Sequence, residues 1–175
     1  MKGTCFFCLL STVLLICLKP TTSLRRLHLG QCVISVNIHE IRHSFRAIKD
    51  MTQSKDEHTD IRLLHQSYSL QDTEPMDRCC FLRHLLRFYL TTVFSHCKVS
   101  SSPIIRKVSR IANTFLSIKK DLRLCHQVSM CHCREDVKHK YGLIMSQYEK
   151  MDVHSAGLKA LGELDILLDW MDKAD

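Results

Sequence analysis

The chain has 175 residues, with 25 Lys and Arg against 18 Asp and Glu, a formal net charge of +7, and ten cysteines. Five glycines and three prolines are too few to punctuate a many-stranded sandwich, and no internal repeat or low-complexity tract is present. The positive charge is scattered and forms no stripe; its densest doublets, Arg25-Arg26 and Lys119-Lys120, read as solvated faces rather than nucleic-acid or other polyanion sites, although weak glycosaminoglycan binding stays open.

In chain order, residues 1–23 set the compartment. Lys2 precedes an apolar run from Cys5 to Leu18, which Lys-Pro-Thr-Thr-Ser ends with a helix breaker and small residues, the pattern of a secretory signal peptide. That run is shorter than the roughly 20 apolar residues of a membrane span. Cleavage is expected after Ser23, leaving 24–175 as one secreted domain without a membrane anchor and with seven of the cysteines. Neither Asn37 nor Asn113 lies in a glycosylation sequon.

Ile34, Ile38, Ile41, Phe45 and Ile48 recur at spacings of four and three, which predicts an amphipathic helix over 33–49. Residues 51–74 are polar and broken, with one helical turn expected at 61–64; connections of this length are ordinarily functional or mobile. After Pro75 comes an element over 76–94 whose apolar residues Leu82, Leu85, Leu86, Phe88, Tyr89 and Val93 cover so wide an arc that it belongs at the centre. Ser102 as N-cap and Pro103 at the first helical position open the next helix, with Ile104, Val108, Ile111, Phe115, Ile118 and Leu122 as its stripe. Val137, Tyr141, Ile144, Tyr148 and Met151 mark another. Asp152 caps a last helix carrying Leu161, Leu164, Leu167, Leu168, Trp170 and Met171, weakened at Gly157 and Gly162, with Glu163, Asp165 and Asp169 on its charged outer face. The prediction is an all-α bundle of about six helices.

One stretch organises these helices: 122–138, LRLCHQVSMCHCREDVK, which concentrates Cys125, Cys131 and Cys133 between two of them. In an oxidising compartment disulfides are the default. Adjacent Cys79 and Cys80 do not readily bond to each other, so each needs a distant partner, and Cys131-His132-Cys133 offers two neighbouring sulfurs. Pairs Cys79–Cys131 and Cys80–Cys133 suit this spacing, with Cys32 going to Cys125 in preference to Cys97, but six cysteines allow 15 connectivities and spacing alone leaves the choice open. Zinc held by Cys79, Cys80, Cys131, His132 and Cys133 is the disfavoured alternative behind a signal peptide. Cys97, between His96 and Lys98, is left over, either as a free thiol or as a point for mixed disulfides and covalent dimers.

His39-Glu40-Ile41-Arg42-His43 spells H-E-x-x-H, the zinc-peptidase pattern. The apolar stripe turns both histidines to solvent, however, and Arg46 and Lys49 stand where one peptidase branch continues with Gly and His. Exposed polar residues on an amphipathic helix are the plainer reading. No nucleophile elbow, P-loop or dinucleotide fingerprint is present. A secreted zinc peptidase using His39, Glu40 and His43, and a polyanion-binding helical protein, are the rival classes.

Four stretches carry a resemblance: Asp77-Arg-Cys-Cys-Phe-Leu-Arg-His-Leu-Leu-Arg-Phe-Tyr-Leu, Ser117-Ile-Lys-Lys-Asp-Leu-Arg-Leu-Cys-His, Cys131-His-Cys133 and Ala160-Leu-Gly-Glu-Leu-Asp-Ile-Leu-Leu-Asp-Trp. Together they resemble the interleukin-10 cytokine family, and the double cysteine with Cys-His-Cys resembles its interleukin-19, -20 and -24 branch, over essentially all of 24–175. The resemblance implies a secreted class II helical cytokine, not an enzyme, with no cofactor and with bridges Cys32–Cys125, Cys79–Cys131 and Cys80–Cys133; Cys97 lies outside that set. It implies a monomer, because the linker through which interleukin-10 exchanges its last two helices is crosslinked here. It further implies bridging of the interleukin-20 receptor alpha and beta chains, or of the interleukin-22 receptor alpha chain with the same beta chain. Janus kinase and STAT signalling in epithelial cells and keratinocytes would follow, with skin inflammation and wound responses. By the same analogy one receptor chain meets Lys55, Asp56, Asp60 and Arg62 together with Lys159 and Glu163, and the other meets exposed His39, Arg42, His43, Arg46, Arg83 and Arg87.

Overall fold

Strict alternation, not helical period, governs the start of the fold. A computed structural model describes residues 23–96 and 101–174; the expected signal peptide, all but its Ser23, and Cys97 lie outside the described residues. Strand β1 (Arg25–Leu29) pairs antiparallel with β2 (Cys32–Val36), with Leu29 opposite Cys32 across a two-residue turn. Leu27, Leu29, Cys32, Ile34 and Val36 point inward, while Val33 and Ser35 face out. Gly30 makes the turn at φ +70°, in the left-handed region that a side chain disfavours.

The helix expected over 33–49 is therefore corrected: α1 spans Ile38–Ser54. Ile34 and Ile38 are four apart and look like one helical stripe, but Ile34 also belongs to the period-two series Cys32, Ile34, Val36. Asn37 stops the helix from extending upstream, its side chain accepting the Glu40 N–H at 3.1 Å.

Residues 61–64 are not helical; a 3₁₀ turn forms at Gln66–Tyr68 instead. Helix α2 (Pro75–Phe88) continues through a π-helical turn, Tyr89–Val93, into Phe94–His96. Helix α3 is Ser102–Gln127, so Ser102 is its first residue and the cap position falls to Ser101. Helix α4 is Glu135–Tyr148. The expected single last helix is two, α5 (Val153–Gly162) and α6 (Leu164–Asp172), with the break at Glu163. Asp152 caps α5, accepting from the His154 and Ser155 N–H groups at 3.1 Å.

Helix α2 lies at the centre of the bundle, with Phe81, Leu82, Leu85, Leu86 and Phe88 fully enclosed. Burial of such side chains stabilises by roughly 1.5–3 kcal/mol each. Phe88 stacks edge-on against Tyr148, Tyr89 edge-on against Phe115, and the Tyr89 hydroxyl donates to the Ala160 carbonyl at 2.8 Å. The hairpin clasps the far end of the chain: the His28 N–H donates to the Ala174 carbonyl at 2.7 Å, and Arg25 pairs with Asp172 at 3.3 Å. Among the described residues no helix is long and apolar enough to cross a membrane.

Candidate functional site: a cysteine staple and two charged faces

Helix α3 ends in a left-handed residue, Ser129 at φ 60°, with the Met130 N–H donating to the Cys125 carbonyl and the Ser129 N–H to that of His126. This sharp exit turns the chain back along the start of α2, where the His132 N–H donates to the Met76 carbonyl at 3.0 Å. Cys32 is joined to Cys125, Cys79 to Cys131 and Cys80 to Cys133, with Cα separations of 5.7, 5.3 and 5.5 Å. The sulfurs of Cys32, Cys79 and Cys131 lie within 4.8 Å of one another, so the first two bridges meet at one buried point joining β2, α2, α3 and the linker. With these sulfurs bonded in pairs, the zinc alternative has no thiolates to use. Beside them Asp77, 1% exposed, receives the Arg134 guanidinium at 2.7 Å. His84 Nε2 lies 3.9 Å from Cys133 Sγ, and burial, followed by the charges of Arg83 and Arg87, pulls its imidazole pKa down.

The first charged face differs from the expectation. Lys159 and Glu163 are 6% and 8% exposed, and Asp56 is half-buried. Lys159 Nζ donates to Asp56 Oδ2 and to the His58 carbonyl, both at 2.8 Å, and lies 3.5 Å from Glu163 Oε1. The Glu163 carboxylate accepts the N–H groups of Leu63 at 3.0 Å and Leu64 at 2.8 Å. Burial pushes its pKa up, while those N–H groups and Lys159 act the other way. The Tyr68 hydroxyl donates to the Leu63 carbonyl at 3.1 Å, and its pKa is raised by burial and then by the Glu163 charge.

These groups form an internal clamp that holds the polar connection down. Lys140 holds the connection's far end, reaching Asp72 at 3.3 Å and Asp136 at 3.1 Å, and Gln71 donates to the Trp170 carbonyl at 2.7 Å. Lys55, Asp60 and Arg62 remain exposed above the clamp. The cue that could have exposed the clamp in advance is Leu63-Leu64: two apolar residues inside a polar connection must be buried, and their backbone N–H groups then need an acceptor.

The second expected set is not brought together: His39, His43 and Arg46 are exposed on α1, whereas exposed Arg87 and half-buried Arg83 lie on α2, where the Arg87 charge acts on His84 and on Tyr141 of α4. Arg42 is also half-buried, bound to Asp169 at 2.7 Å and Asp172 at 3.5 Å, and Lys49 meets Asp165 at 2.9 Å. Arg42 therefore ties α1 to α6 rather than standing free, and the acidic outer face expected of the last helix is largely neutralised. Glu40 accepts from the Asn37 side chain at 3.3 Å. Among the described residues, no group of three ligating side chains includes His39 or His43, so the peptidase pattern lacks a third ligand.

A family model described as Interleukin 10 matches residues 16–174. The chain is similar to interleukin-20 of Mus musculus, with 46% identity over 95% of each chain, and to interleukin-19 of Homo sapiens, with 39% identity over 94% of this chain and 90% of that one. Its fold superposes on the crystal structure of human interleukin-19 with a TM-score of 0.76 at 40% identity, covering 83% of this chain and 94% of that one. A disulfide-stapled helical bundle that matches cytokines at this level along nearly its whole length is itself a cytokine, and cytokines are not enzymes: the chain belongs to the interleukin-10 family.

Proposed function

We propose that the protein is secreted after cleavage behind Ser23 and acts as a monomer that bridges two class II receptor chains. The receptors are the interleukin-20 receptor beta chain paired with either the interleukin-20 receptor alpha chain or the interleukin-22 receptor alpha chain, and Janus kinase and STAT signalling in epithelial cells follows. The observation that carries this reading is a pair of exposed polar sets, each on backbone fixed from behind. Lys55, Asp60 and Arg62 sit over the Lys159–Asp56–Glu163 clamp, and His39, His43 and Arg46 project from α1, which Arg42 ties to α6; Arg87 stands apart from them on α2. Rigid support lowers the ordering cost of binding. Once one receptor chain holds the cytokine at a membrane, the second binding step occurs at high effective concentration.

Cleavage behind Ser23 is supported by β1, which begins at Arg25 and already pairs with β2 and with the end of the chain, so trimming further downstream would open the clasp. A monomer is supported by the linker, because three crosslinks within one chain hold the segment that a helix exchange must open.

The test is binding of the disulfide-bonded protein to the receptor beta ectodomain, alone and then with each alpha-type chain. A saturable ternary complex is expected, weakened at least tenfold by Arg62→Ala or Arg87→Ala, since arginine is enriched among residues that dominate interface energy. Absence of any ternary complex with intact disulfides rejects the proposal.

A further inference from the structure

The tertiary structure gathers onto one helix a charge that the sequence spreads out. Residues 24–175 carry 23 Lys and Arg against 18 Asp and Glu. Helix α3 holds six of those cations (Arg106, Lys107, Arg110, Lys119, Lys120 and Arg123) and one of the acids, Asp121, so the rest of the domain balances at seventeen of each. The whole net charge of the domain therefore resides in α3.

Their surroundings differ from those of the cations that knit the fold together. Arg42, Lys49, Arg134, Lys140 and Lys159 are each held by a carboxylate. Among the described residues, none of the six on α3 lies in an ion pair. Asp121 is half-buried at the flank; it and Glu40 share with Arg110 a groove of about 390 Å³, and neither reaches Arg110 at ion-pair distance.

Geometry aligns the charges. Ile111, Phe115, Ile118 and Leu122 bury one side of α3, while Arg106, Arg110, Lys120 and Arg123 are exposed on the other. At 3.6 residues per turn, Arg106, Arg110 and Lys120 fall within an arc of about 80°, with Arg123 beside it, along roughly 26 Å of helix axis. We propose that this face is a binding site for a linear sulfated polysaccharide of the heparan sulfate class, which holds the cytokine near cell surfaces and in the matrix. Unpaired cations in a row complement a linear polyanion, and releasing its counterions drives binding.

Two other polyanions fit less well. Ile105, Leu116, Leu124 and Val128 are exposed on the same side and interleave with the cations, so pressing them into a bilayer would bury the charges as well. A single-stranded nucleic acid would use aromatic platforms for its bases, and the one aromatic residue of α3, Phe115, is buried in the core.

The test is retention of the disulfide-bonded protein on immobilised heparin across a salt series. One variant combines Arg106→Gln, Arg110→Gln, Lys120→Gln and Arg123→Gln; a control removes equal charge from other exposed positions with Arg26→Gln, Lys138→Gln, Lys150→Gln and Lys173→Gln. The control is expected to elute close to the parent and the α3 variant much earlier, with its slope of log affinity against log salt lower by about three. Replacing Arg106, Arg110 and Arg123 by Lys should retain binding, and circular dichroism should show every variant folded. Equal shifts in both Gln variants, undiminished retention on desulfated heparin, or tighter binding to phosphatidylserine vesicles or single-stranded DNA than to heparin overturns the proposal.

Discussion

Lys159 and Glu163 stand four residues apart, a spacing at which opposite charges ordinarily meet on an exposed helix surface. Here the chain from Asp56 to Leu64 closes over them, and the pair becomes an internal anchor. The raised pKa of Glu163 has a pH consequence. A carboxyl whose folded pKa exceeds its unfolded value contributes stability that is fully present below the unfolded value, near 4.5, and is lost as pH rises through the folded value. Glu163→Gln should flatten that part of the stability curve. Denaturant titrations of both proteins between pH 4 and 7 read it as the difference between the curves, which isolates Glu163 from Asp152, whose lowered pKa acts in the opposite sense. Parallel curves would remove Glu163 from the account.

Gly30 gives a second prediction at this scale. A Cβ there would lie 2.7 Å from the Pro75 carbonyl oxygen and 2.9 Å from Met76 Cα, at a φ that disfavours side chains. Gly30→Ala should destabilise by about 1–3 kcal/mol. Gly142, in α4 with open space around it, should instead gain about 0.5–1 kcal/mol on replacement by Ala. Chemical denaturation of the two variants separates them by sign.

Among the elements, the helices α2, α3 and α4 were legible because their apolar residues keep a 3.6-residue period and because proline marks two starts. The hairpin was missed: its five buried residues alternate, but Ile34 also fits the stripe of the following helix, and a short amphipathic strand next to an amphipathic helix shares residues with it. The break between α5 and α6 was missed for a different reason, since the tertiary contacts of Glu163 are made to a segment a hundred residues away.

The bridges connect these elements unequally. Cys32–Cys125 spans 93 residues, and its loss in Cys32→Ser with Cys125→Ser should cost about 4–5 kcal/mol. Cys79–Cys131 and Cys80–Cys133 span 52 and 53 residues and close nearly the same loop, so either one alone supplies most of the constraint. Removing the outer pair with Cys80→Ala and Cys133→Ala should therefore cost much less than removing Cys32–Cys125. Equal losses in thermal unfolding would contradict this nesting.

For the whole molecule, a domain-exchanged dimer would have to open the linker between α3 and α4, which the bridges hold to β2 and α2. Sedimentation under oxidising conditions should give a monomer, and reduction of the bridges should precede any exchange. A stable dimer with all three bridges intact inside each chain would reject this expectation.

The sequence by itself determined the all-α class, the interleukin-10 resemblance and most of the core, since periodicity and cysteine spacing are local properties that survive without knowledge of the fold. Which charges face water was decided only by the tertiary structure. Lys159, Glu163 and Arg42 looked free and are engaged, while four exposed cations of α3 looked scattered and line one side of the helix, with no ion pair among the described residues. A polar side chain's exposure depends on which distant segment covers it, and a buried charge is tolerated only when that segment also brings its partner.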